Sequence, residues 1–142
     1  MKRTSYWSLL AIILLLLGDQ ASKYFFYDLE VGSSSRFFDP LLNTGISRGV
    51  SMPMAVILII SLFCIGLFSY LLYKKHLTRW EFAFFLAGTL GNLIDRVLIG
   101  GVRDFIGIGS FPVFNLADIY LSLAVLLVCL REFFPCKKEE KT

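Results

Sequence analysis

The chain has 142 residues, 56% hydrophobic and 18% charged, a mean hydropathy of +0.70 and a formal net charge of +3. A soluble domain of this length exposes much of its surface and could not hide that much apolar material, so a globular enzyme in water is excluded in favour of an integral membrane protein. The small positive charge comes with no basic stripe interleaved with aromatics, and nothing points to nucleic acid.

A membrane-crossing helix needs about 20 mostly apolar residues, and four such stretches are predicted, at about 6–27, 52–73, 80–98 and 113–133. The first, "MKRTSYWSLLAIILLLLG", also has the basic start and apolar core of a signal peptide. Its apolar pattern continues past Lys23 and three further spans follow, which favours a retained helix. It carries "DQASK", with Asp19 and Lys23 at i,i+4 on one helical face. The connection 28–51 holds Gly32, a serine run, Asn43 in "LLNTGISRG", and Gly49; it could form a short sheet or a flap. The second span has no charge over 22 residues, and "YKKHLTR" follows it with the only histidine, His76. The third span ends in "GTLGNLIDRVLIGG", which places Asn92, Asp95 and Arg96 at i, i+3 and i+4. Asp104 follows in "GGVRDF", within the connection 99–112. The fourth span opens with "FPVFNLADIYL", where Asn115 and Asp118 are i,i+3. Cys64, Cys129 and Cys136 lack metal-ligand spacing and are read as unpaired. The fold class expected is an all-α membrane protein, a single-domain four-transmembrane-helix bundle over 1–142 with a small outer loop region able to carry β structure.

Lys and Arg give the direction. One side would hold Lys2, Arg3, Lys74, Lys75, Arg79, Arg131, Lys137, Lys138 and Lys141, and the other Lys23, Arg36, Arg48, Arg96 and Arg103. The richer side is cytoplasmic, so both termini and His76 are expected there. The connections 28–51 and 99–112 then face outward.

With that topology, the polar residues of four separate stretches converge at one level near the outer surface. Charges inside spans are costly and normally face the bundle interior. Asp19–Lys23 and Asp95–Arg96 read equally well as neutralising pairs that lock helices together. Asp104 and Asp118 lack obvious partners: Arg103 is adjacent to Asp104, but neighbours in a strand point apart. The two acids are 14 residues apart, and the stretch between them includes the Gly-rich "IGIGS", which can fold back and bring them together. Two close carboxylates share a proton, and one can activate a water while the other protonates. The alternative is a solvated loop acid and a helix-start acid. Zinc and Ser-His-Asp chemistry both need a histidine in the site, and His76 is expected at the opposite end. The competing functional reading is a small membrane transporter or proton-relay protein, which predicts polar residues spread through the whole bilayer depth.

These stretches together resemble the lipoprotein signal peptidases, or signal peptidase II. "DQASK" is similar to the family's D-Q-x-x-K, "NTGISRG" to its N-x-G, "GNLIDR" to its G-N-x-x-D-R, "VRDF" to its V-x-D-F and "FNLAD" to its F-N-x-A-D. The resemblance covers most of the chain. It implies an aspartic endopeptidase of the bacterial cytoplasmic membrane, without metal or cofactor. Such an enzyme removes the signal peptide of diacylglyceryl-modified prolipoproteins just before the lipidated cysteine. It implies the catalytic pair Asp104 and Asp118. Asp19, Lys23, Asn43, Gly45, Asn92, Asp95, Arg96, Asn115 and Ala117 are implied to bind substrate or support the site. The implied partners are the prolipoprotein substrates and membrane lipids, with the enzyme a monomer. Phe37, Phe38, Phe105, Phe111 and Phe114 lie near the site in sequence; they could meet lipid or signal helix, or serve as ordinary interfacial aromatics. Three departures stand out: Arg48 where the family usually has an aromatic, a short stretch between the two aspartates, and Tyr120 where a smaller residue is frequent.

Overall fold

A computed structural model of the chain describes residues 3–32, 37–45 and 52–134. In chain order these form α1 (Arg3–Lys23) with a π-helical turn (Tyr24–Asp28), β1 (Phe38–Asn43), α2 (Met54–Tyr73), α3 (Arg79–Ile99), β2 (Val102–Ile106) and α4 (Leu116–Phe133). Arg48, the serine run, Cys136 and the basic tail lie outside the described residues, as does most of the suggested flap.

The helix ends follow local chemistry. Thr78 and Glu81 exchange side-chain and backbone hydrogen bonds in a capping box that starts α3. Gly100 ends α3 in the left-handed conformation, φ 82°, which glycine adopts without steric penalty. Asn115 and Asp118 form a second capping box at the start of α4. The helix thus begins three residues later than the predicted span. Phe114 is instead held in an extended bridge to Ile106, which commits 113–115 to the sheet side of the molecule.

The third helix is the hub: α1, α2 and α4 all pack on it. Its buried face includes Ala83, Ala87, Gly88, Thr89 and Gly91, small residues that let membrane helices approach closely. A Cβ at Gly88 would stand 2.6 Å from the Ala117 carbonyl oxygen, and one at Gly91 would run into the Asp19 carboxylate. Glycine at these two places therefore sets the spacing of α3 from α4 and α1.

β1 and β2 pair antiparallel, with Leu41 opposite Asp104 and Asn43 opposite Val102. The register breaks between Phe38 and Leu41, around Pro40, which has no N–H for the ladder. A two-stranded ribbon is marginal alone. Here Phe26 anchors it, with ring centroids 4.5 Å from Phe38 and 5.3 Å from Phe105. Phe38 and Phe105 therefore build the support of the ribbon.

Burial is inverted relative to a soluble protein. Leu14, Leu17, Ile59, Leu62 and Phe63 are exposed, whereas Asp19, Lys23, Asp95 and Asn115 are fully buried. Among the described residues, three helices are long and apolar enough to cross a membrane by length and composition: Tyr6–Asp28, Met54–Tyr73 and Arg79–Ile99. The fourth, α4, is 18 residues long, with Asp118 near one end and Arg131 and Glu132 at the other. Cys64 and Cys129 are free thiols.

Candidate active site

Asp104 sits in β2 and Asp118 in the first turn of α4, and one asparagine joins them. The Asn115 side chain donates to Asp104 Oδ1 at 2.6 Å, while its backbone N–H donates to Asp118 Oδ2 at 3.2 Å. Both carboxylates line a single cleft of about 970 Å³ with Asn43, Asn92, Arg96 and Phe114. The capping role of Asp118 and its place in this pair are the same geometry seen twice. Its Oδ2 faces the free N–H of the helix start, and its Oδ1 faces Asn92.

Three asparagine amides surround the pair, and each has its orientation dictated by another partner. Asn92 Oδ1 accepts from Lys23 Nζ at 3.2 Å and from Asn115 Nδ2 at 3.1 Å, so Asn92 Nδ2 turns to Asp118 at 2.8 Å. Asn43 Oδ1 accepts from the Gly45 N–H at 3.1 Å, which leaves Asn43 Nδ2 for Asp104 at 3.1 Å. Asn115 Oδ1 accepts from the Asp118 N–H at 3.1 Å, so its Nδ2 donates. Each carboxylate is thus held by donors.

Beneath the cleft lies a buried charge cluster. Lys23 bridges Asp19 at 2.8 Å and Asp95 at 3.4 Å, with all three side chains fully buried. Asp19 also accepts from the Ala117 N–H at 2.9 Å. A carboxylate on α1 therefore meets the positive end of α4, as the helix dipole favours. Ala117, fully buried, contributes its amide; a larger side chain would have no room between α1 and α3.

Asp95 and Arg96 do not pair with each other. Adjacent helical residues diverge by about 100°. Asp95 faces Lys23 and is gripped by Arg103 through Nη2 at 2.9 Å, Nε at 3.3 Å and the backbone N–H at 3.0 Å. Arg96 faces the cleft, where its charge couples to Asp118 and Asp104, and it donates to the Gly45 carbonyl at 3.4 Å. The expected Asp95–Arg96 lock is thus an Asp95–Arg103 lock. Arg103 continues to Asp28 at 2.5 Å and Gln20 at 3.0 Å, tying β2 to the end of α1. Strand alternation is the signal for this. Arg103 and Asp104 point to opposite faces, one to the charge cluster and one to the cleft.

Among the aromatics singled out in the sequence, Phe111 and Phe114 line the cleft, and Phe37 is exposed. Tyr120 packs between helices beside Phe84 and near Gly18. His76 is exposed in the turn after α2, at the other end of α3 from Asn92 and Arg96.

Burial, and after it the neighbouring Asp118 carboxylate, push Asp104 up to about 6, against the opposing pull of the Asn43 and Asn115 hydrogen bonds. A raised folded-state value favours the protonated form in the folded protein. The stability that this supplies is fully present below about 4 and is lost as pH rises through about 6. Asp104→Asn cannot ionise. Its stability relative to wild type is therefore expected to rise by on the order of 2 kcal/mol between pH 4 and pH 7.5. Unfolding midpoints in detergent at the two pH values measure it, and an unchanged difference between variant and wild type would refute it.

A family model described as signal peptidase (SPase) II matches residues 11–134. The chain is 33% identical to a lipoprotein signal peptidase of Microcystis aeruginosa, covering 93% of this chain and 94% of the relative. It is 33% identical to one of Brucella ovis, with 98% of each covered. The fold is similar to a bacterial membrane enzyme solved by the in meso method at 2.3 Å, with a TM-score of 0.77, 28% identity, and 95% and 93% of the two chains covered.

Proposed function

The chain belongs to the signal peptidase II family, and from that premise we propose that Asp104 and Asp118 are the catalytic pair with which it cuts its substrate. It is a bacterial membrane-embedded aspartic endopeptidase that removes signal peptides from diacylglyceryl-modified prolipoproteins. The observation that carries the site reading is the convergence of both carboxylates and three oriented asparagine amides on one cleft.

In this reading the pair holds one proton between two carboxylates. Asp104 is more buried than Asp118, which weights the shared proton toward it. The ionised partner takes a proton from a water held between them, and the water oxygen attacks the scissile carbonyl carbon. The protonated partner donates to the developing oxyanion and the departing amine receives a proton as the C–N bond breaks. Asn43, Asn92 and Asn115 hold the two carboxylates without neutralising either. Arg96, on the cleft wall, is placed to hold a substrate backbone oxygen. Asp19, Lys23, Asp95 and Arg103 keep α1, α3, α4 and β2 in register beneath the acids.

The Lys and Arg distribution supports an orientation with both termini in the cytoplasm and the cleft at the outer end of the bundle. The scissile bond neighbours a cysteine whose acyl chains lie in the outer leaflet, so the acids belong at that depth. In this orientation α4 spans the membrane with α1, α2 and α3. The enzyme is a monomer in this reading.

The direct test is cleavage of a diacylglyceryl-modified prolipoprotein by the purified protein in detergent. The product expected ends one residue before the lipidated cysteine. Uncut substrate from several lipoproteins, with the protein folded, would sink the reading. Reporter fusions at each connection test the orientation separately.

A further inference from the structure

The three asparagine amides that hold the acids are not equally backed. Asn43 Oδ1 accepts from the Gly45 N–H and Asn115 Oδ1 from the Asp118 N–H, so the two amides that donate to Asp104 each lean on a neutral backbone group. Asn92 donates to Asp118 at 2.8 Å, and behind it stands an ammonium: Lys23 Nζ donates to Asn92 Oδ1 at 3.2 Å. Lys23 is fully buried, and its other partners are Asp19 at 2.8 Å, the Gly91 carbonyl at 3.3 Å and Asp95 at 3.4 Å. The amide plane carries the charge onward. A cation at the carbonyl oxygen draws electrons from the nitrogen and makes its N–H the stronger donor, and hydrogen bonds in series polarise one another in a low dielectric.

The charges around the pair leave this asymmetry in place. Arg96 of α3 couples to Asp118 first and to Asp104 after it. Arg103 of β2 turns away to Asp95 and Asp28, and Asp19 of α1 and Asp95 of α3 face Lys23. Asp39 of β1 is exposed beside Gly107. The start of α4 gives Asp118 the Asn115 N–H as well. Asp104 receives the Lys23 charge through space, behind burial, Asp118 and its own amide bonds.

We propose that Lys23 is a positioning residue of the reaction: through Asn92 it keeps Asp118 the ionised member of the pair and leaves the shared proton on Asp104. Asp118 is then the base that takes a proton from the attacking water, and Asp104 the acid that gives its proton to the oxyanion. These roles rest on the catalytic reading of the cleft. The polarised chain from Lys23 through Asn92 to Asp118 does not, and a carboxyl titration measures it separately.

The test is a double-variant cycle on the full chain in detergent: wild type, Asp19→Asn/Lys23→Met, Asn92→Ala and their combination, each checked for its thermal transition. Asp19→Asn accompanies Lys23→Met so that no carboxylate is stranded. One readout is the pH profile of kcat/KM. The other is the infrared carboxyl band of isotope-labelled aspartate, with the Asp118 band identified by its loss in Asp118→Asn. Loss of Lys23 or of Asn92 is expected to move the acid limb of the profile, and the Asp118 band with it, to higher pH by about one unit, because either change leaves Asp118 a poorer anion. With alanine at 92, removing Lys23 should add less than about 0.3 unit. A Lys23 effect of equal size in both backgrounds is a field acting through space and overturns the proposal. A shift confined to the alkaline limb also overturns it, because the shared proton then sits on Asp118. So does a profile that moves at neither limb. A band that shifts as expected in a protein that cuts no prolipoprotein upholds the chain and removes the catalytic reading.

Discussion

Asp104→Asn and Asp118→Asn are each expected to lower prolipoprotein cleavage by at least about 10³-fold, with the protein still folded. Positioned acid–base groups contribute about 10²–10⁴ each, and this pair works as a unit, so losing either carboxylate removes the shared proton as well as one partner. The double variant should be little worse than either single change, because effects within one catalytic unit are not additive. The folded state is checked by retention of the thermal transition. Both substitutions keep side-chain size, and Asp118→Asn can still accept from Asn92. Normal cleavage by both variants would refute the assignment and turn attention to Asp19 and Asp95, two further buried aspartates. Loss with Asp118→Asn alone would reduce Asp104 to a supporting residue.

Lys23→Met is expected to be the most damaging single change outside the pair. Lys23 is fully buried and is the shared counter-ion of Asp19 and Asp95. Its ammonium also donates to the Gly91 carbonyl at 3.3 Å and to Asn92 at 3.2 Å. Removing one partner of a buried ion pair costs about 3–5 kcal/mol, since a charge is left without compensation in low dielectric. Asp95 retains Arg103, but Asp19 keeps only the Ala117 amide and the Gln20 side chain at 3.1 Å. Cleavage should fall as well, because Asn92 loses one of the two donors that point its amide at Asp118. Asp19→Asn/Lys23→Met should recover part of the stability, as the stranded charge is removed. Thermal midpoints of the two singles and the double form the cycle. A Lys23→Met protein as stable as wild type would show that the cluster does not hold the bundle.

The two expectations divide the polar residues by what each touches. Asn43, Asn92 and Asn115 donate directly to the acids, so their substitution should act on turnover first. Asp19, Asp95 and Arg103 bond to Lys23, Gln20, Asp28 and backbone rather than to the two acids of the cleft, so theirs should act on stability first.

Apolar content and spacing were enough to read four helices, because a segment in hydrocarbon must satisfy its own backbone and be apolar for about 20 residues. The gathering of the polar residues at one end of the bundle was legible too, since helical rise turns sequence position into position along the helix axis. Motif order identified the family from the same residues. What spacing could not decide was who pairs with whom. Asp95 and Arg96 are neighbours in sequence and diverge in space, while Asp95 and Arg103 meet because Gly100 turns the chain back beside α3. The start of α4 moved to Leu116 because Phe114 forms an isolated bridge to Ile106 of β2, a contact that local helix propensity does not contain. The union of Asp104 with Asp118 depends on Asn115 capping one element while reaching another. The sequence by itself determined the class of protein, the gathering of its polar residues at one end of the bundle and its family. Tertiary structure alone decided the hydrogen-bond partners, because those depend on the close approach of α1, α3 and α4 at Gly88 and Gly91, where the missing Cβ atoms let separate helices share one buried network.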